Sequence, residues 1–251
     1  KMIGKMTWKI TGRTHTGLVR SRNEDAVGWL QALGVAVLAD GLGGLHAGDV
    51  ASGEAVRSVL HHLGERQAGS GGKDISKATL VEAVRAANRK VWSLHQDRSG
   101  TPMGTTIVVA AFTDDGRCLV AHVGDSRAYR LRDGTLKQLT VDHSLVQLRV
   151  DEGALSPEQA RRSRDRNVIT RALGLEADIP VEHLEFSRRP GDLLLLCSDG
   201  LWEMLPETLI AAELLRLAEG ALDASGCLDA LLQAANAAGG TDNISVVLMQ
   251  A

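Results

Sequence analysis

The sequence predicts an α+β fold in which two mostly antiparallel sheets are covered by helices, and three observations carry that expectation. Strand-like stretches come in runs joined by Asp-Gly hairpin signals. Two long helical patterns interrupt those runs as a block. The regular β–α alternation of a parallel, doubly wound sheet is missing. At 251 residues, with 44% hydrophobic and 24% charged residues, the chain has the make-up of an ordinary globular protein near the size where one core stops growing. A single domain over 1–251 is expected, its core spanning about 7–250.

In chain order, "VAVLADGLGG" (35–44) reads as a buried strand running into an Asp-Gly turn. Val56, Val59, Leu60 and Leu63 then recur at helical spacing, which predicts a helix from about Asp49 to Arg66. After the linker "AGSGGKD", Asp74 can cap a second helix with Val84, Ala87, Val91 and Leu94 on one face, ending near Ser99. Residues 104–140 read as four strands in an antiparallel meander, with hairpin turns at 115–116 and 133–134. Residues 141–180 are polar and interrupted by glycine, and read as a surface excursion. A strand near Val181–Phe186 precedes "GDLLLLCSDGLW", whose unbroken apolar run suits a strand buried on both faces. Pro206 suits the first turn of a helix carrying Leu209, Ile210, Leu214 and Leu217. A further helix runs from about Ser225 to Gly239-Gly240, and "NISVVLMQ" closes the chain as a strand.

The formal net charge of −3 gives no bulk attraction to nucleic acid or to an anionic membrane, so neither is an expected partner. The most basic stretch, "ARRSRDRN" (160–167), is broken by an aspartate and reads as a solvated loop or a local docking surface. Cys118, Cys197 and Cys227 are odd in number and widely spaced, which argues against disulfides or a zinc site and for a reducing compartment. No stretch has the apolar core of a signal peptide or the roughly 20 apolar residues of a membrane span, so a cytoplasmic location is expected.

The chemistry lies in a repeated carboxylate. Asp40, Asp125 and Asp199 each follow an apolar run, and Asp242 stands just before the last one. In antiparallel sheets the end of one strand lies beside the start of its neighbour, so these four acids can share one edge of the core. Crowded carboxylates must be protonated, spread apart or neutralised by cations. Oxygen donors without a Cys or His cluster favour Mg²⁺ or Mn²⁺, and the glycine after Asp40 lets the Gly41 carbonyl approach the same ion.

Eight segments, in order, carry a resemblance: "GLVRSRNEDA" (17–26), "ADGLGG" (39–44), "GTT" (104–106), "GDSR" (124–127), "DHSLV" (142–146), "RNVITRALG" (166–174), "SDGLW" (198–202) and "TDNISVV" (241–247). Across roughly residues 9 to 250 the chain resembles the bacterial branch of the metal-dependent serine/threonine phosphatases of the protein phosphatase 2C type. The resemblance implies a four-layer α-β-β-α sandwich. It also implies hydrolysis of phosphoserine and phosphothreonine by a water bridging two Mn²⁺ or Mg²⁺ ions, without a covalent intermediate. Asp40 would bridge the ions, the Gly41 carbonyl would join one, and Asp199 and Asp242 would hold the other. Glu24 and Asp25 resemble the acids that orient metal waters, and Arg20 the phosphate-binding arginine. Asp125 resembles the ligand of a third ion shared with Asp199, or else orients Arg127. Residues 143–168 correspond to a mobile flap where substrate preference would reside.

The chain departs from the pattern after Asp40-Gly41, where relatives often carry a histidine that assists the leaving group and this chain has Leu45 followed by His46. Phosphorylated proteins and a Ser/Thr kinase are the implied partners, and a monomer the implied state. Other phosphatase chemistries lack their residues. No cysteine has Arg six positions on, no Asp-x-Asp occurs, and "GSGGKD" has Gln67 and Asp74 where a phosphate loop needs Gly and Ser or Thr. Two alternatives stay open: a catalytically silent binding module of the same fold, and a phosphatase acting on phosphorylated anti-sigma antagonists.

Overall fold

The computed structural model describes residues 8–43, 47–70, 75–97 and 103–251. The chain opens with strands β1 (Lys9–His15), β2 (Asp25–Leu30) and β3 (Val35–Leu42), followed by the helices α1 (Ala47–Ser70) and α2 (Lys77–Asp97). Strands β4 (Gly104–Thr105), β5 (Ile107–Phe112), β6 (Arg117–Val123), β7 (Arg127–Arg132) and β8 (Thr135–Gln138) come next. Two short helices, α3 (Leu145–Asp151) and α4 (Pro157–Arg161), precede β9 (Glu182–Ser187) and β10 (Leu193–Cys197). Helices α5 (Asp199–Trp202), α6 (Glu207–Ala218) and α7 (Ala224–Ala237) then lead to β11 (Ile244–Gln250).

One sheet has the order β1-β11-β10-β7-β8 and the other β2-β3-β5-β6-β9, with β4 paired to β3, and every pairing is antiparallel. Successive side chains of a strand point to opposite faces, so apolar residues on both faces require cover on both. In β3, Val35, Val37 and Ala39 pack under α1 and α2 with Val59, Leu63, Val84 and Val91, while Ala36 and Leu38 face the other sheet. In β10, Leu194 and Leu196 meet them there with Val247 and Met249, while Leu193, Leu195 and Cys197 face the helical layer of α6 and α7. Three cores thus separate four layers, α-β-β-α, as expected. All three cysteines are buried and free.

Four local readings are corrected. Asp40-Gly41 does not turn: β3 stays extended to Leu42 because Gly41 and Leu42 pair with Thr105 and Gly104. The strands of 104–140 do not form one meander, since the β5–β6 hairpin belongs to one sheet and the β7–β8 hairpin to the other, and the chain crosses between them at residues 124–126. Helix α2 is capped by Ser76, whose hydroxyl accepts from the Thr79 N–H at 3.1 Å, while Asp74 lies outside the described residues. Leu209, placed with the apolar face of α6, is 50% exposed. Strands β1 and β2 join those expected, and no helix among the described residues is long and apolar enough to cross a membrane.

Candidate metal centre

Asp40 stands where β3 leaves β5. Val35–Leu38 pair with Val108–Ala111, after which the Asp40 peptide is held by the "GTT" segment. Its N–H donates to Thr106 Oγ1 (3.0 Å), and its carbonyl accepts from the Thr106 N–H (2.9 Å) and the Thr105 hydroxyl (2.8 Å). The Gly41 N–H donates to the Glu24 carbonyl at 3.1 Å. A Cβ on Gly41 would lie 2.2 Å from the Gly48 carbonyl oxygen and 2.6 Å from that of Glu24, so backbone fills the space a side chain would need.

Asp25 sits directly opposite Asp40 in the β2–β3 register. Its Oδ2 accepts from the Ser198 hydroxyl at 2.8 Å, and that same hydroxyl accepts from the Ser245 N–H at 3.0 Å. Ser198 thereby ties β2 of one sheet to the β10 and β11 ends of the other, and Asp199 follows it as the first residue of α5. Asn243 performs a similar task for the loop before β2. Its side chain donates to the Thr16 and Arg22 carbonyls (2.9 and 2.7 Å) and accepts from the Glu24 N–H (2.8 Å). Next to it, Asp242 Oδ1 accepts from the Asn243 N–H at 2.8 Å and Oδ2 accepts from Arg20 Nη2 at 2.6 Å.

Asp125 is buried on the crossing between the sheets. It does not orient Arg127, because the Arg127 fork is spent on Asp142, with Nε at 2.9 Å from Oδ1 and Nη2 at 2.6 Å from Oδ2. The backbone carbonyl of Asp125 accepts from the indole N–H of Trp202 at 3.1 Å.

The five acids act on one another electrically. Burial raises the Asp40 carboxyl well above the usual range, and the charges of Asp25, Asp199, Asp125 and Asp242 raise it further. Asp199 is raised likewise by burial, then by Asp125, Asp242 and Asp25. Burial pushes Asp25 up to about 6, against hydrogen bonds from Ser245 and Ser198, and pushes Asp125 up to about 7, helped by the charge of Asp142. Oδ1 of Asp25, Asp125 and Asp199 is cut off from solvent and has no hydrogen-bond partner. Buried acceptors without donors are costly, and a hard divalent cation is the group that would satisfy several at once. The donor set therefore fits Mg²⁺ or Mn²⁺.

The structure brings together Arg20, Glu24, Asp25, Asp40, Gly41, Asp199 and Asp242, with Asp125 beside them. Leu45 and His46 lie outside the described residues. Thr105, Thr106, Ser198 and Asn243, which hold the acids in place, were not singled out from the sequence, although each lies within a matched segment. The arginines of "ARRSRDRN" are partly engaged locally: Arg162 pairs with Glu158, and Arg166 reaches Glu203 of the α5 region at 3.6 Å.

The protein phosphatase 2C family model matches residues 11–235. The serine/threonine phosphatase stp of Listeria welshimeri is 36% identical over 241 residues, covering 95% of this chain and 94% of that protein. PstP of Mycobacterium tuberculosis, a serine/threonine protein phosphatase, is 40% identical over 244 residues, covering 96% of this chain and 44% of PstP. The crystal structure of M. tuberculosis PstP superposes with a TM-score of 0.87 at 35% identity, covering 98% of this chain and 99% of that one. The catalytic domain of PstP in complex with two manganese ions superposes with a TM-score of 0.81 at 33% identity, over 97% of each chain. The chain therefore belongs to the protein phosphatase 2C family and is a metal-dependent phosphoprotein phosphatase.

Proposed function

We propose that this chain, a single phosphatase domain, hydrolyses phosphoserine and phosphothreonine in proteins, opposing a Ser/Thr kinase, with Asp40, the Gly41 carbonyl, Asp199 and Asp242 as its metal ligands. Asp125 adds a third site. One observation carries the reading: unpartnered, buried carboxylate oxygens from both sheets converge where the strand ends meet. When bound, the cations lower the pKa of water toward neutrality and offset charge on phosphoryl oxygens. Asp25, fixed by Ser198 opposite Asp40, and Glu24, packed against Gly48, would orient the water that bound cations activate. Arg20 presents a planar fork to the phosphoryl group. Residues 143–168 form a flap whose ends are zipped together, with Leu145 N–H on the Val168 carbonyl and Thr170 N–H on that of His143, both at 2.8 Å.

Purified protein with excess Mn²⁺ is expected to release phosphate from phosphothreonine and phosphoserine peptides. Chelator is expected to abolish the release, as is Asp199→Asn, which removes a charge the cations need. If no phosphate leaves any phosphopeptide or p-nitrophenyl phosphate, the hydrolytic reading fails and a binding module of the same fold takes its place.

A further inference from the structure

The crossing between the sheets at residues 124–126 is held at both backbone groups of Gly124, at the Asp125 carbonyl and at the Ser126 hydroxyl. The Gly124 N–H donates to His143 Nδ1 (3.1 Å), the Gly124 carbonyl accepts from the His143 N–H (3.0 Å), and the Ser126 hydroxyl meets Thr106 Oγ1 (2.7 Å). Gly124 has φ of +103°, and a Cβ there would lie 2.7 Å from Thr106, so the turn depends on glycine. Asp125 stands in the middle of this turn, and its carbonyl is taken by the Trp202 indole. Trp202 is the last residue of the four-residue helix that begins at Asp199, so one side chain connects the two acids assigned to a third ion.

The indole is itself fixed. The Arg127 guanidinium lies 3.7 Å from the centre of the Trp202 ring, a stacking contact favourable for a flat cation on the best aromatic face. The guanidinium cannot drift along the ring, because it forms a two-pronged pair with Asp142 and its remaining nitrogen, Nη1, donates to the Tyr129 hydroxyl at 2.8 Å. Gln138 adds a hydrogen bond to Asp142 Oδ1 at 3.1 Å. Asp142 immediately precedes the flap, so the chain of contacts runs from the flap root through Arg127 and Trp202 to Asp125.

We propose that Trp202 is the positioning residue for Asp125, with Arg127 and Asp142 clamping its ring, so that the third metal position depends on this clamp while the Asp40 positions do not. The proposal rests on the metal assignments above. A carboxylate aims its lone pairs only as well as its own peptide is held, and the Trp202 indole N–H holds the Asp125 carbonyl.

Trp202→Phe keeps a ring beneath Arg127 and removes the indole donor. Asp142→Asn keeps the shape of the clamp and removes its charge. Mn²⁺ binding would be followed by calorimetry and by Mn²⁺ electron paramagnetic resonance. In Trp202→Phe the weakest Mn²⁺ event is expected to lose about tenfold or more in affinity, with the tighter events unchanged, and Asp142→Asn to show the same selectivity to a smaller extent. Arg127→Lys is expected to weaken the same event, because a lysine neither stacks flat on Trp202 nor forms the two-pronged pair with Asp142. Equal loss at all sites, or wild-type binding at all sites in both variants, would overturn the proposal. So would a wild-type protein with no weak event. If the wild type binds no Mn²⁺ at all, the failure lies instead with the metal assignments, and the proposal falls with them.

Discussion

Arg20 and Asp242 form an ion pair whose side chains are 54% and 31% exposed. Pairs this open to water contribute about 0–1 kcal/mol, so a phosphoryl group can take the arginine at little cost. Arg20→Ala is accordingly expected to lower kcat/KM on a phosphothreonine peptide by about 10- to 100-fold, the equivalent of one or two charge-assisted hydrogen bonds, and chiefly through KM. Its urea unfolding free energy should change by less than about 1 kcal/mol and its Mn²⁺ affinity should persist. Collapse of Mn²⁺ binding in this variant would make Arg20 a brace for Asp242 rather than a substrate contact. At this scale the clustering of Asp40, Asp199 and Asp242 was legible because each stands at one end of an apolar run, Asp40 and Asp199 after theirs and Asp242 before its own. Thr106, Ser198 and Asn243 were not, since a hydroxyl or amide that clamps a distant peptide looks in sequence like any turn residue. Their partners lie 66, 173 and up to 227 positions away.

Among the elements, the strands read correctly where apolar residues run unbroken, as in "IVVAAF" and "LLLLC". The exchange of sheets after β6 could not be read, because a strand that continues a hairpin and one that crosses to the opposite sheet carry the same apolar pattern. What forces the crossing is the glycine turn at Gly124 and its grip on His143. His143 stacks on His122 with ring centres 4.8 Å apart, and its Nε2 lies 3.1 Å from Glu182 and 3.4 Å from Arg171. Because Nδ1 accepts from Gly124, the neutral ring carries its proton on Nε2 and donates to Glu182. Burial first, then the neighbouring His122, push the His143 pKa from 6.5 down to about 4. Between those values the unfolded chain binds the extra proton and the folded one does not, so stability rises with pH. The contribution is complete above about pH 6.5 and is lost as pH falls toward 4. Urea unfolding in EDTA from about pH 7 to about pH 4 should therefore show His143→Gln losing less stability on acidification than the wild type. Parallel curves for the two proteins would show that His143 titrates normally in the folded state.

At the scale of the molecule, strands that are apolar on both faces demand two sheets back to back with helices outside, and that requirement made the architecture legible before any contact was known. The same arrangement gathers strand ends from both sheets at one place, and this is where the fold opposes its own function. Asp40 lies among Asp25, Asp199, Asp125 and Asp242, and each of those charges raises its pKa. Without cations, such a cluster destabilises the folded state, since the unfolded chain lets the charges separate. With cations at about a hundred times their dissociation constant, the folded state gains about 2.7 kcal/mol per site, or about 5–10 °C in melting temperature for a chain of this size. Asp40→Asn keeps the shape and removes the central charge. In EDTA it is expected to melt above the wild type, and in Mn²⁺ below it, so the order of the two proteins reverses when metal is added. Differential scanning calorimetry of both proteins in both conditions checks this. A variant that melts below the wild type in EDTA would mean that the Asp40 carboxylate stabilises the apo fold through its own contacts, and that the cluster is not held together against repulsion.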